Sequence, residues 1–420
     1  MADLSVELLQ MLQGEFDARR RTEAANRPEG WISVGWPAYD IGEVKAGLQC
    51  LLDLRLTQGY HTKTFEKSYA SHLGMHTSVA LNSGSSANFL ALASLLESGE
   101  VKSGDEVICP AATFATVSSP IYQLGLVPVY VDCDTRTWCI DPNEAESAIG
   151  ARTRVVMPVH NLGFPADMPA LSSLCKHRGM VLLEDCCEAH GSQSQGRNVG
   201  TYGQLSTLSF HVAHNITTGE GGMVFAESEE RAVVLRSLRE FGRWMGSGDR
   251  YLSVGNLVDY DVRYLFTRLG FNMRMTDITA AIGLVQLGKL DALNEVRRAN
   301  AAQLDAILSP FAQWVYPWQP LPGDLCGYYG YPIMVQKDAP FSRRSLCEFL
   351  EKHNIETRPM MGGCLPDQPG YVGLHHRIHG DLPVSKLIRD HCFFIGCHPS
   401  VGMQGLNHIA EIFSAFMRNF

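Results

Sequence analysis

The sequence predicts an α/β fold in which a buried, mostly parallel sheet carries helices on both faces and a smaller α+β domain follows. Three observations carry this. Short β-rich runs alternate with helical ones from residue 77 onward. A long Pro-free stretch, 277–308, then reads as one helix. From "SPFAQWVYPWQP" onward the composition turns to Pro, aromatic and β-rich runs. The division expected is an N-terminal helical extension (1–35), a large domain (36–309) and a small C-terminal domain (310–420).

Taken in order, the first thirty residues form a polar helix followed by a loop at "NRPEGW". "TKTFEKSYASHLG" (62–74) has helical spacing and stops at Gly74. "TSVALNSGSS" is a strand that leads into the helix "ANFLALASLLES". "DEVICPAATF", "VPVYVDCD", "TRVVMPVHNL", "GMVLLEDCC", "STLSFHV" and "GGMVFAES" are the next strand candidates. Runs of this kind suit strands covered on both faces.

Charge and composition exclude several functions. The formal net charge of -9 argues against a nucleic-acid surface, and "RRR" at 19–21 is too short to reverse that. The N-terminus lacks the basic-then-apolar layout of a signal peptide, and no apolar run is long enough to span a membrane. The 12 cysteines have no regular spacing, so a secreted disulfide framework is not expected. The expectation is a cytoplasmic protein without nucleic-acid or membrane partners.

Several motifs could carry chemistry, each with a plainer alternative. "NSGSSAN" (82–88) opens a helix after a strand, and Gly84, Ser85 and Ser86 there either cradle an anion or simply cap the helix. Asp185, in "LLEDCCEAHGS", either meets a ligand beyond the strand or caps a helix starting at Cys186. Phe114, in "CPAATFATV", either stacks on a planar ring or belongs to the core. His160 and Asn161 in "VHNLG" are placed similarly. "TTGEGG" (217–222) is either a tight turn or a ligand loop.

In this fixed order, and together with "SFHVAHNITTGEGGMV", "GFNMRMTDITAAIGLVQL" and "RRAN", these motifs resemble the DegT/DnrJ/EryC1/StrS family of pyridoxal-phosphate sugar aminotransferases. The resemblance covers nearly the whole chain. It implies the aspartate-aminotransferase fold (fold type I) with a seven-stranded sheet, a homodimer, and nucleotide-linked keto-sugar substrates. It further implies that Gly84, Ser85, Ser86 and Ser209 hold the cofactor phosphate. Phe114 would stack on the ring, Asp185 would hold its nitrogen, and Glu188 would lie beside it. Asn272 would reach the neighbouring subunit's cofactor.

His214 departs from the aminotransferases, whose lysine at this position binds the cofactor covalently. The same replacement marks the sugar 3-dehydrase and 3-dehydratase branch. An imidazole moves protons near neutral pH but cannot form the imine. The resemblance therefore implies pyridoxal or pyridoxamine phosphate held non-covalently, His214 as base, loss of the sugar's 3-hydroxyl, and L-glutamate as amino donor. The ascarylose-type relatives carry a [2Fe–2S] cluster on four cysteines, the first matching Cys187. Met245, Ser247 and Gly255 stand at the other matching positions, so no metal site is expected. Two further readings are a dehydratase or aminotransferase acting on a nucleoside or uronic sugar of an antibiotic pathway, and a non-catalytic partner subunit. Arg274, Arg358 and His375 are weak candidates for reading the substrate.

Overall fold

The computed structural model describes residues 4–28 and 30–420. Helix α1 (Val6–Ala25), capped by Ser5, buries none of its residues, as its polar sequence requires. Helix α2 (Ile41–Leu52) opens on a capping box in which Asp40 and Glu43 satisfy each other's backbone amides. Helix α3 (Tyr60–Leu73) stops at Gly74, which takes the left-handed conformation with φ +89°.

The large domain alternates as expected. Strand β1 (Thr77–Leu81) leads into α4 (Gly84–Glu97), β2 (Glu106–Pro110) into α5 (Ala115–Gln123), and β3 (Val127–Val131) into α6 (Pro142–Ser147). Then come β4 (Thr153–Val156), α7 (Met168–Arg178), β5 (Val181–Asp185), a short hairpin of β6 (Gln193–Ser194) and β7 (Arg197–Asn198), β8 (Leu205–Ser209), β9 (Gly222–Ala226) and α8 (Glu229–Arg239). The sheet order is β1-β9-β8-β5-β4-β2-β3, with β9 antiparallel to both neighbours and the other pairs parallel. Alternate side chains feed two cores: Val107 and Cys109 pack with α4 and α5, while Ile108 packs with α3 and α7.

A second hairpin, β10 (Tyr251–Val254) and β11 (Leu257–Asp261), pairs only with itself. The stretch read as one helix is two, α9 (Asp277–Leu287) and α10 (Leu290–Leu308). Gly288 closes the first, and the Lys289 ammonium is drawn to Glu43 (2.6 Å) and Asp40 (2.7 Å) on α2. A tertiary ion pair at a glycine thus breaks a continuous helical pattern.

The C-terminal part builds a second sheet from β12 (Val315–Pro317), β13 (Tyr331–Val335), β14 (Thr357–Pro359) and β16 (Cys392–Ile395), antiparallel in the order β12-β13-β16-β14. It packs with α11 (Arg343–Lys352), α12 (Pro383–His391) and α13 (Gly402–Met417) around Trp318, Phe393 and Phe413. Leu304 and Leu308 of α10 enter this same core. The strand count needs one correction. The two-residue β15 (Arg377–Ile378) leaves the C-terminal part and joins β3 in parallel, so the large sheet has eight strands instead of seven. Arg377 pins it by pairing with Glu106 at 2.9 Å. Among the described residues no helix is long and apolar enough to cross a membrane.

Candidate active site

A cavity of about 420 Å³ opens beyond the carboxyl ends of the parallel strands, where open α/β sheets bind ligands. Gly84, Ser85, Phe114, Asp185, Glu188, Ser209 and His214, drawn from four segments of chain, all line it. Two other candidates do not. The Ser86 amide and hydroxyl are both engaged by the Ser83 hydroxyl, at 3.1 and 3.0 Å. Asn272 is exposed and accepts a hydrogen bond from Arg274. Arg274, Arg358 and His375 lie outside the cavity lining, and Arg358 is paired with Glu356.

One end of the cavity is built for an anion. The Gly84 and Ser85 amides begin α4 and have no intrahelical acceptor. The helix end is pressed onto β8 and β9. A Cβ on Gly84 would fall 2.5 Å from that of Ser209, and one on Gly222 would fall 2.1 Å from the Ser83 carbonyl oxygen. Only glycine allows this approach, which leaves the free amides beside the Ser85 and Ser209 hydroxyls.

Asp185 does not cap a helix. One of its oxygens accepts from the Cys187 amide at 2.9 Å in a local turn. The other accepts from the Asn88 amide group at 2.7 Å, and Asn88 is in turn fixed by the Thr207 hydroxyl at 2.6 Å. The carboxylate is buried yet lines the cavity, suited to a cationic ring N–H. Phe114 is not core: its ring is 52% exposed at the cavity wall.

Glu188 accepts from the Leu162 amide at 2.7 Å, which requires Leu162 to sit at φ +52°. Burial, reinforced by Asp185, pushes the Glu188 pKa up to about 8. The neighbouring trio His160, Glu184 and Cys186 has metal-like proximity, but its carboxylate and one imidazole nitrogen are already engaged. Glu184 accepts from the amides of Gly200, Tyr202 and Gly203, and His160 accepts from Ala166.

His214 follows β8 on a turn closed by its own amide to the His211 carbonyl, at 3.0 Å. Its ring lies among three others: Tyr329 at 5.1 Å, His211 at 5.9 Å and His190 at 6.0 Å. Nδ1 is buried without a hydrogen-bond partner. Burial holds the imidazole pKa well below its ordinary value, with His190, His211 and Arg297 adding to the effect. His190 bonds the Tyr69 hydroxyl through Nδ1 (2.8 Å) and the Ser209 carbonyl through Nε2 (2.7 Å), so Nε2 donates and Nδ1 accepts. Burial lowers its pKa to about 4. Sequence reasoning missed Asn88, His190 and Tyr329. Only His190 had a local signal, two residues beyond Glu188.

These residues fit a phosphorylated pyridine cofactor. The amide-lined cradle suits the phosphate, the exposed ring suits a planar face, and the buried carboxylate suits a ring N–H. An unpartnered imidazole nitrogen belongs to a residue of the same cavity wall. Comparison with known proteins agrees. The chain is 36% identical over 407 residues to the dTDP-4-dehydro-2,6-dideoxy-D-glucose 3-dehydratase of Saccharopolyspora spinosa, covering 93% of this chain and 86% of that one. The Escherichia coli GDP-4-keto-6-deoxy-D-mannose-3-dehydratase with bound hydrated PLP superposes with TM-score 0.85 at 27% identity, covering 91% and 98%. A structure of GDP-4-keto-6-deoxymannose-3-dehydratase with a trapped PLP-glutamate geminal diamine gives 0.84 at 27% identity, covering 91% and 99%. The model of the DegT/DnrJ/EryC1/StrS aminotransferase family matches residues 41–414, and the chain belongs to that family.

Proposed function

We propose that this protein removes the 3-hydroxyl of a nucleotide-linked 4-keto sugar, using pyridoxamine phosphate held without a covalent bond and His214 as the base. The observation that carries the reading is the His214 imidazole in the cavity wall, with Nδ1 unpartnered and the ring held proton-free. When bound, the cofactor would supply an amine for the keto group and a ring that takes up electrons as the C–O bond breaks.

The chain's own residues do the rest. The α4 amides with Ser85 and Ser209 hold the phosphate, and Phe114 covers one face of the ring. Asp185, steadied by Asn88, keeps the ring nitrogen protonated, which sustains electron withdrawal. His214 then takes up a proton that a protonated imidazole could not accept. Glu188, with its pKa near 8, is protonated at neutral pH and can donate a hydrogen bond into the cavity.

Glutamate is the amino donor that regenerates the amine, a reading supported by the glutamate adduct trapped in the relative. No iron–sulfur cluster takes part: Met245, Ser247 and Gly255 offer no thiolate to join Cys187. The active unit is a homodimer in which Asn272 serves the neighbouring cavity. The exposure of Asn272 and the uncovered apolar side chains of the β10–β11 hairpin support this.

The test is incubation with cofactor, glutamate and a panel of nucleotide 4-keto sugars, read by mass spectrometry. A 3-deoxy-4-keto product is expected. An amino sugar that keeps its 3-hydroxyl would overturn the reading.

A further inference from the structure

One face of α10 carries Asn294, Arg297 and Asn300, spaced three residues apart and therefore aligned along the helix. All three are buried, Arg297 to 1% exposure. Each donates to backbone carbonyls of a different segment. Asn294 reaches the His190 carbonyl at 2.7 Å and accepts from Asn215, the residue after His214, at 2.8 Å. Arg297 reaches the Tyr328 and Tyr329 carbonyls, both at 3.0 Å. Asn300 reaches the Cys397 and His398 carbonyls at 3.1 and 3.2 Å. Asn215 adds a bond to the Gly327 carbonyl at 2.7 Å, and the Tyr329 amide donates to the Leu162 carbonyl at 3.0 Å. The Tyr329 ring is thereby set against His214.

Among the described residues no carboxylate pairs with Arg297, and its Nε donates to nothing. The nearest acidic group is the Cys397 thiol, which burial pushes up to about 11, so it stays uncharged at neutral pH. A guanidinium does not give up its proton in a protein. The result is a fixed positive charge, uncompensated, behind the site. Its influence adds to burial in lowering His190, His214 and His398 alike. The rings around His214 are those of His190, His211 and Tyr329; Asp185, Cys187, Glu188 and Glu220 share the cavity wall, and Arg297 lies behind Tyr329, whose carbonyl it bonds.

We propose that this face of α10 is the frame that positions His214, with Asn294 acting through Asn215 and His190, and with Arg297 a positioning residue that acts through Tyr329 and places an unpaired charge behind the site. The proposal rests on His214 being the base, but its test needs neither substrate nor cofactor. Failure here is therefore distinguishable from failure of the dehydratase reading.

Diethyl pyrocarbonate acylates only neutral imidazole, and peptide mass spectrometry reads the adduct at His214 across pH in the full-length protein. The wild-type midpoint should lie below the ordinary value of about 6.5. Arg297→Met should raise it, since a like charge is removed. Arg297→Lys should keep it low. Arg297→Gln, which keeps an N–H donor for the Tyr328 and Tyr329 carbonyls while removing the charge, should raise it too, and decides the matter if Arg297→Met does not fold. A wild-type midpoint at the ordinary value overturns the proposal. So does a folded Arg297→Met or Arg297→Gln protein whose midpoint coincides with wild type.

Discussion

The cavity and the β10–β11 hairpin invert the usual polarity rule in opposite directions. The cavity holds polar atoms shut away without partners, among them His214 Nδ1 and Asn161 Oδ1. The hairpin and the loop after it hold apolar side chains without cover: Val258 is 80% exposed and Leu269 93%, with Tyr264 and Phe266 nearby. A protein normally avoids both, the first because unpaired buried groups cost free energy and the second because large apolar patches invite contact. The lesson is that a chain advertises missing partners in two ways. The cavity offers polar groups to a small molecule, and the hairpin offers an apolar surface that the proposed second copy would cover.

The contrast can be tested most severely at His214. His214→Asn should retain cofactor yet lose proton transfer, a fall in dehydration rate of about 10²–10⁴-fold. Product formation under saturating cofactor checks it, and a wild-type rate would remove His214 as the base. Asp185→Ala should come next. Losing a charge-assisted hydrogen bond, worth roughly 1.5–3 kcal/mol, should weaken cofactor binding about 10- to 100-fold in an absorbance titration. On the hairpin, Val258→Glu combined with Leu269→Glu should leave monomer melting within about 0.5 kcal/mol of wild type, because both side chains touch solvent. The pair should nonetheless shift sedimentation from dimer toward monomer. An unchanged dimer would show that the interface lies elsewhere.

The last test concerns Glu188. Its folded pKa of about 8 lies above the ordinary carboxylate value, so between the two only the folded state holds the proton. Stability of the cofactor-free protein should therefore decline as pH rises from about 4.5 toward 8. Glu188→Gln should flatten that decline in thermal melts. An identical pH dependence in both proteins would place the titration on another group.

Much of this was legible in the sequence, for a physical reason. Strand ends mark the ligand side of an α/β sheet, so Asp185 and Phe114 could be singled out locally. Pleat alternation explains why Glu184, one residue earlier, turns away and is consumed by three backbone amides. Asn88 was hidden because its meaning lies in partners 97 and 119 residues away. Arg297 was visible only as half of "RRAN", and nothing local says which arginine is buried. The break at Gly288 had a signal, a single glycine, but the ion pair that exploits it comes from α2. The eighth strand had none, since two residues cannot show a period.

That eighth strand restricts how the molecule can move. The C-terminal part is stitched to the large sheet at three places. Leu365 and Gly362 donate to the Ala111 and Thr113 carbonyls, Arg377–Ile378 pairs with β3, and the Val384 and Ser385 amides both bond Asp132. A hinge between the two sheets would have to undo all three at once. A swing of the C-terminal sheet against the large one would thus break backbone pairing, a cost that rearranging loops at the cavity mouth would not carry.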